Sequence, residues 1–117
     1  MLIYIFAALL LIHGIAHLVG FIVPWKIADL KDMPYSTKIF NKKIELGEVG
    51  IKIYGLIWLF LAVFFLVCVI LIIYNGPIHK NIIISASVLS LFMSVLGIPD
   101  SKFGIVINVL IIVYLFI

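Results

Sequence analysis

Arginine is absent from the chain: eight lysines carry all the positive side-chain charge, against five carboxylates. A nucleic-acid binder presents a solvated basic face with donors spread across it. Here the lysines gather mostly in one short loop between apolar runs, where anionic lipid headgroups suit them better, so no nucleic-acid partner is expected. Cysteine is nearly absent as well. Cys68 stands alone, which excludes an intrachain disulfide and the Cys-x-x-Cys pairing of thiol redox chemistry. Set inside an apolar run, it reads as a small core hydrophobe. Charge of either sign is scarce, 11% of residues against 67% hydrophobic, where soluble domains average about 25% and 45–50%. A soluble domain of this size buries only about 60–70% of the surface its unfolded chain exposes. That is too little to hide such a composition from water, and lipid is the expected solvent.

What is present falls into four apolar runs. They predict an all-α membrane protein, a single domain over 1–117. Its expected core is an up-down-up-down bundle of transmembrane helices at about 2–23, 48–74, 82–98 and 101–117. The run from Leu2 to Val23 spans ~33 Å as a helix, enough for a ~30 Å hydrocarbon core. It lacks the basic start, the short apolar stretch and the small-residue cleavage site of a signal peptide, so a retained helix is expected. Pro24 and Trp25 should end it. In the loop at 24–47, Asn41-Lys42 sits between two short alternating stretches and predicts a β-hairpin over 37–46, marginal unless it docks on something. Asn75-Gly76-Pro77 reads as a turn, Asn81 as a cap for the third helix, and Asp100 or Ser101 as a cap for the fourth. Lys26, Lys31, Lys38, Lys42, Lys43, Lys52 and Lys102 fall on the hairpin side, with only Lys80 opposite. That bias predicts a multi-pass cell-membrane protein with the first loop cytoplasmic and both termini outside.

Polar residues within the runs collect in the hairpin half. His13 and His17 share a helix face with Ala16 and Gly20. Counted from the hairpin side, His17 and Asn108 lie ~9 Å deep, Ser90 ~12 Å and Ser94 ~6 Å. Ser87, Ser90, Ser94 and Gly97 form one stripe of the third helix. Glu48 and Lys52 stand at the mouth of the second helix, and Asp100 lies at the same rim. The far half is nearly pure Ile, Leu, Val and Phe. Each of these residues also has an ordinary role. Serines in such helices bond their own i−4 carbonyl or pack closely. Glu48 and Lys52 form an i,i+4 pair, Asp100 caps, and Asn108 ties helices together. The imidazoles are different, because a ring buried in hydrocarbon needs a partner. His13, His17, Glu48, Lys52, Ser90, Ser94, Asp100 and Asn108 are therefore the candidate ligand or proton site, with His17 expected to bond Asn108 or Glu48.

Metal and haem chemistry fit poorly. His13 and His17 would place two imidazoles on one ion, but zinc wants at least a third ligand, and Gly14 stands where a His-Glu-x-x-His motif needs glutamate. Haem b would need axial imidazoles on opposite porphyrin faces, which two rings on one helix face do not supply.

Three motifs carry a resemblance: His13-Gly-Ile-Ala-His-Leu-Val-Gly-Phe21 followed by Pro24-Trp25, Leu46-Gly-Glu-Val-Gly-Ile-Lys-Ile-Tyr-Gly-Leu56, and Gly97-Ile-Pro-Asp-Ser-Lys-Phe-Gly-Ile-Val-Ile-Asn108. At these positions the chain resembles a family of small four-helix bacterial and archaeal membrane proteins, some with permease-like labels. It bears a more distant likeness to the DoxX-like four-helix membrane proteins. The resemblance implies the four-helix fold and places His13, His17, Glu48, Asp100 and Asn108 at motif positions, without implying a mechanism.

The function expected from these features is a ligand- or partner-binding membrane module with a polar pocket in one half of the bundle. A lipid, quinone or other amphiphile would enter from the bilayer, with a second copy or a larger membrane protein as the other class of partner. The alternatives are an accessory subunit of a transporter and a membrane enzyme pairing His17 with Glu48 or Asp100 as acid and base. No nucleophile–base–orienter set is recognisable for the last.

Overall fold

The structure, a computed structural model, describes residues 2–31, 34–75, 80–98 and 101–116. Four apolar helices make up most of it, the first in two pieces. In chain order they are α1 (Leu2–Ala16) with α2 (Val19–Ile22), α3 (Gly47–Asn75), α4 (Lys80–Leu96) and α5 (Lys102–Phe116). Two short strands, β1 (Lys38–Ile39) and β2 (Ile44–Glu45), pair antiparallel between α2 and α3. Leu2–Ile22 and Gly47–Tyr74 are long and apolar enough to cross a membrane, with mean hydropathy 2.3 and 3.4. Lys80–Leu96 and Lys102–Phe116 are apolar but shorter.

The expected continuous helix over 2–23 is broken at His17. In an α-helix the His17 amide would bond the His13 carbonyl. That carbonyl is taken instead by the His17 ring, whose Nδ1 donates to it at 2.5 Å. The amide moves to the Gly14 carbonyl at 3.1 Å, and the Leu18 amide to Ile15 at 3.0 Å. This i−3 spacing is that of a tighter 3₁₀ turn. Helical bonding then resumes and runs through Pro24 and Trp25. It ends where Lys26 adopts a left-handed φ of 54°. The Ile27 amide then reaches back to Ile22 at 3.0 Å and the Lys26 amide to Val23 at 3.0 Å. Those two bonds are the Schellman closure that satisfies the last helical carbonyls.

Neighbouring helices run in opposite senses, as their contacts show. Along α1, α2 and the turn after them, Gly14 meets Phe65, Gly20 meets Trp58, and the Trp25 indole Nε1 donates to the Lys52 carbonyl at 2.9 Å. Along α5, Ser101 meets Ser94 and Asn108 meets Ser90. The close approaches at Gly14 and Gly20 exist because no side chain stands there. A Cβ on Gly14 would lie 2.9 Å from the Phe65 Cβ, and one on Gly20 would overlap the Trp58 ring. Small residues permit this kind of backbone approach between apolar helices.

The core has two parts. Away from the hairpin, Phe6, Leu10, Phe65, Cys68, Ile83 and Ile111 form a purely apolar cluster, and Cys68 is buried within it. Nearer the hairpin, Ile51, Tyr54, Trp58, Leu61 and Met93 pack together under Tyr35, Ile39 and Leu46.

The hairpin falls where expected, with Lys38 opposite Glu45 and Ile39 opposite Ile44. Its turn is longer than Asn41-Lys42 alone: Phe40, Asn41 and Lys42 all take left-handed φ values of 54°, 54° and 63°. Docking sustains it. The Phe40 amide donates to the Leu96 carbonyl at 2.6 Å and the Asn41 amide to Ile98 at 2.7 Å. The turn thereby satisfies carbonyls at the end of α4 that have no partner within the helix. At the other end, the Glu45 carboxylate accepts the Gly47 amide at 2.9 Å and closes the start of α3.

Two expected caps are not used as such. Asn81 lies inside the first turn of α4, where its carbonyl accepts the Ser85 hydroxyl at 2.8 Å. Ser101 precedes α5, but its hydroxyl donates to the Ser94 carbonyl at 2.6 Å, tying α5 to α4. Asp100 and the Gly76-Pro77 turn lie outside the described residues.

Candidate functional site

Both histidines are buried, at 6% and 3% exposure, and each is bonded to another helix. His13 Nε2 lies 2.9 Å from Asn108 Oδ1 on α5. His17 Nε2 lies 2.6 Å from Ser90 Oγ on α4. Asn108 Nδ2 donates to the same Ser90 hydroxyl at 2.9 Å, so α1, α4 and α5 share one network. Apolar rings wall it in. The two imidazoles meet edge to face at 4.6 Å, and Phe65 lies 5.1 Å from each of them. Trp58 lies 5.1 Å from His17 on the hairpin side. In surroundings like these an unmade hydrogen bond would be expensive. Packing on Phe65 through Gly14 and the 3₁₀ turn at His17 together set the two rings against α4 and α5.

Beside this network runs a groove of about 760 Å³. α1 and α5 meet farther out through Phe6 stacked on Tyr114, with ring centres 4.7 Å apart. Toward the hairpin the groove parts them. His13, Ala16, His17 and Gly20 line one wall, and Ser94, Gly97, Ser101, Gly104 and Ile107 another. Tyr54 and Trp58 contribute from α3, and Lys38 and Lys42 stand at its hairpin end. Ala16, Gly20, Gly97, Ser101 and Gly104 are the small residues on its walls. No carboxylate lines it among the described residues.

The residues singled out in the sequence separate into two groups. His13, His17, Ser90 and Asn108 form the network, and Ser94 lies on the groove wall. Glu48 and Lys52 stand apart from it on the exposed face of α3. Lys52 Nζ sits over the Trp25 ring, 5.5 Å from its centre, and Glu48 holds no ion pair among the described residues. The expected His17 contact falls on Ser90, while Asn108 goes to His13. Counting depth from the loops missed this by one turn. Tyr54 and Trp58 were not singled out, although Ile51, Tyr54, Trp58 and Leu61 recur at three and four residues, the period of a buried helix face. Lys38 and Lys42 carried no such signal, since only the docking of the hairpin brings them to the groove. Ser87 Oγ is the one side-chain polar atom among the described residues that is fully enclosed and without a hydrogen-bond partner.

As a metal site the pair is already committed. Three of its four ring nitrogens hold hydrogen bonds. Among the described residues no third His, Cys, Asp or Glu joins them in a ligand set. Nor does the network read as a proton wire. It passes through the Asn108 amide and ends on the His13 backbone carbonyl, an acceptor that holds no exchangeable proton. What the arrangement does well is fix polar atoms along the wall of an apolar groove. No protein-family model, curated protein or solved structure matches the chain.

Proposed function

We propose that the chain is an integral membrane protein that binds a hydrophobic amphiphile in the groove between α1 and α5. Its four helices would form an up-down-up-down bundle in the bilayer. The groove itself carries this reading. Its volume falls within the roughly 300–1,000 Å³ range of small-molecule sites, and it joins a largely apolar lining to a few oriented polar groups. Membrane insertion is supported by large apolar side chains exposed on every helix, among them Ile12, Phe60, Phe92 and Leu110. A helix apolar all round belongs in a protein core or in lipid. The lysine excess on the hairpin side favours a cytoplasmic hairpin, with Lys38 and Lys42 at headgroup level. A ligand would then slide in sideways from one leaflet. An acid–base enzyme is less well supported, because Glu48 is exposed on α3 while His17 is bonded to His13 and Ser90.

Native mass spectrometry of gently extracted protein tests the reading. The wild type should retain a small hydrophobic molecule. Ala16→Phe, which fills the groove from an exposed position of α1, should lose it while keeping its helical spectrum. Retention by both proteins would place the molecule elsewhere. A wild type that carries only a larger membrane protein would favour the accessory-subunit role.

A further inference from the structure

The directions of the hydrogen bonds around the two histidines require a ligand's polar group to be a hydrogen-bond donor. The His13 carbonyl can only accept. His17 Nδ1, bonded to it, therefore carries a proton. In a neutral imidazole the other nitrogen is then a lone pair, so His17 Nε2 accepts, and the Ser90 hydroxyl donates to it. That hydroxyl has spent its one proton. It receives the Asn108 bond through a lone pair, which makes the Asn108 atom facing it the NH₂ group. The amide oxygen consequently faces His13, and His13 Nε2 donates to it. Of the four ring nitrogens, three are now assigned and one is left. With its proton on Nε2, His13 presents a bare lone pair at Nδ1, which has no hydrogen-bond partner among the described residues. His13 is 6% exposed and lines the groove. Among the described residues no carboxylate lines the groove to favour a charged ring over the neutral one.

We infer that the groove selects an amphiphile bearing a hydroxyl group, whose O–H donates to His13 Nδ1 while its hydrocarbon chain lies along Ala16, Gly104 and Ile107. A carbonyl or ether oxygen would face that lone pair with one of its own and leave both unpaired. Asn108, Ser90 and His17 are positioning residues here. They hold the proton of His13 on Nε2 and so keep Nδ1 free to accept. This inference rests on the groove being a ligand site.

The test uses the full chain in lipid nanodiscs with two matched probes, hexadecanol and hexadecyl methyl ether, titrated against quenching of tryptophan fluorescence. Hexadecanol should bind about tenfold more tightly than the ether, the difference one hydrogen bond of ordinary strength makes. In ¹⁵N-histidine-labelled wild type, His13 Nδ1 should resonate as an unprotonated ring nitrogen and shift on adding hexadecanol but not the ether. His13→Phe should bind both probes equally. The nitrogen measurement keeps the question decidable should that variant fail to fold. Equal binding of the two probes by wild type, with Nδ1 unmoved, overturns the hydroxyl assignment and leaves the groove as a ligand site. Binding of neither overturns both.

Discussion

The imidazole of His17 displaces its own backbone amide from the carbonyl of His13, one helical turn back, at 2.5 Å. One contact therefore has two effects. It tightens the backbone into a 3₁₀ turn beside the groove, and it sets which nitrogen of His17 carries the proton. The backbone cost is small, because the amide finds Gly14 instead.

Replacing His17 with leucine should reverse both effects. The amides of residues 17 and 18 should return to i−4 partners and exchange more slowly with deuterium. At the same time Ser90 loses its acceptor, and bundle stability in detergent should fall by about 0.6–2 kcal/mol, the scale of one interhelical hydrogen bond between apolar helices. Unchanged exchange at these two amides would mean that the ring does not drive the break.

Gly14→Ala tests the approach of α1 to α3. Its new Cβ would lie 2.9 Å from the Phe65 Cβ, an atom fixed to the backbone that no rotamer change can move away. The helices must part, at about 1–3 kcal/mol for overpacking. Ala8→Val, at an exposed position of α1, should stay within about 0.5 kcal/mol of wild type. Equal effects for the two substitutions would argue against this contact.

Glu45 gives the hairpin a pH dependence. The Thr37 hydroxyl, foremost, and the Gly47 amide hold its carboxyl below the usual carboxylate range, with Lys38 adding to the effect. A folded-state pKa lowered in this way stabilises at pH above the unfolded value and is lost as pH falls through the folded one. Hydrogen-exchange protection of the Leu46 and Gly47 amides should therefore drop on acidification below the ordinary glutamate range. In Glu45→Gln it should already be reduced and nearly independent of pH.

Sidedness follows from cysteine labelling in a Cys68→Ala background. With the hairpin cytoplasmic, an impermeant thiol reagent on intact cells should label a cysteine at Lys80 and spare one at Lys31. The opposite result would reverse the orientation inferred from the lysines.

Composition and spacing alone determined that the helices are apolar, roughly where they lie, that a hairpin interrupts them, and that polar side chains share one half of the bundle. These properties are local: hydrophobic runs, turn residues and helical periodicity each act over a few positions. The partners were decided only by the tertiary structure. His13 reaches Asn108 and His17 reaches Ser90 through the packing of α1 on α4 and α5, and the break at His17 is set by a side chain competing for a backbone carbonyl. Glu48 and Lys52 carried the same sequence signals as the true members, yet they face outward, since rotation about α3 is fixed by Tyr54, Trp58 and Phe65 packing on other helices. The groove belongs to no single segment. Its walls come from α1, α2, α3, α4, α5, the hairpin and the turn after α4. Only the packed bundle brings residues so far apart in the chain onto common walls.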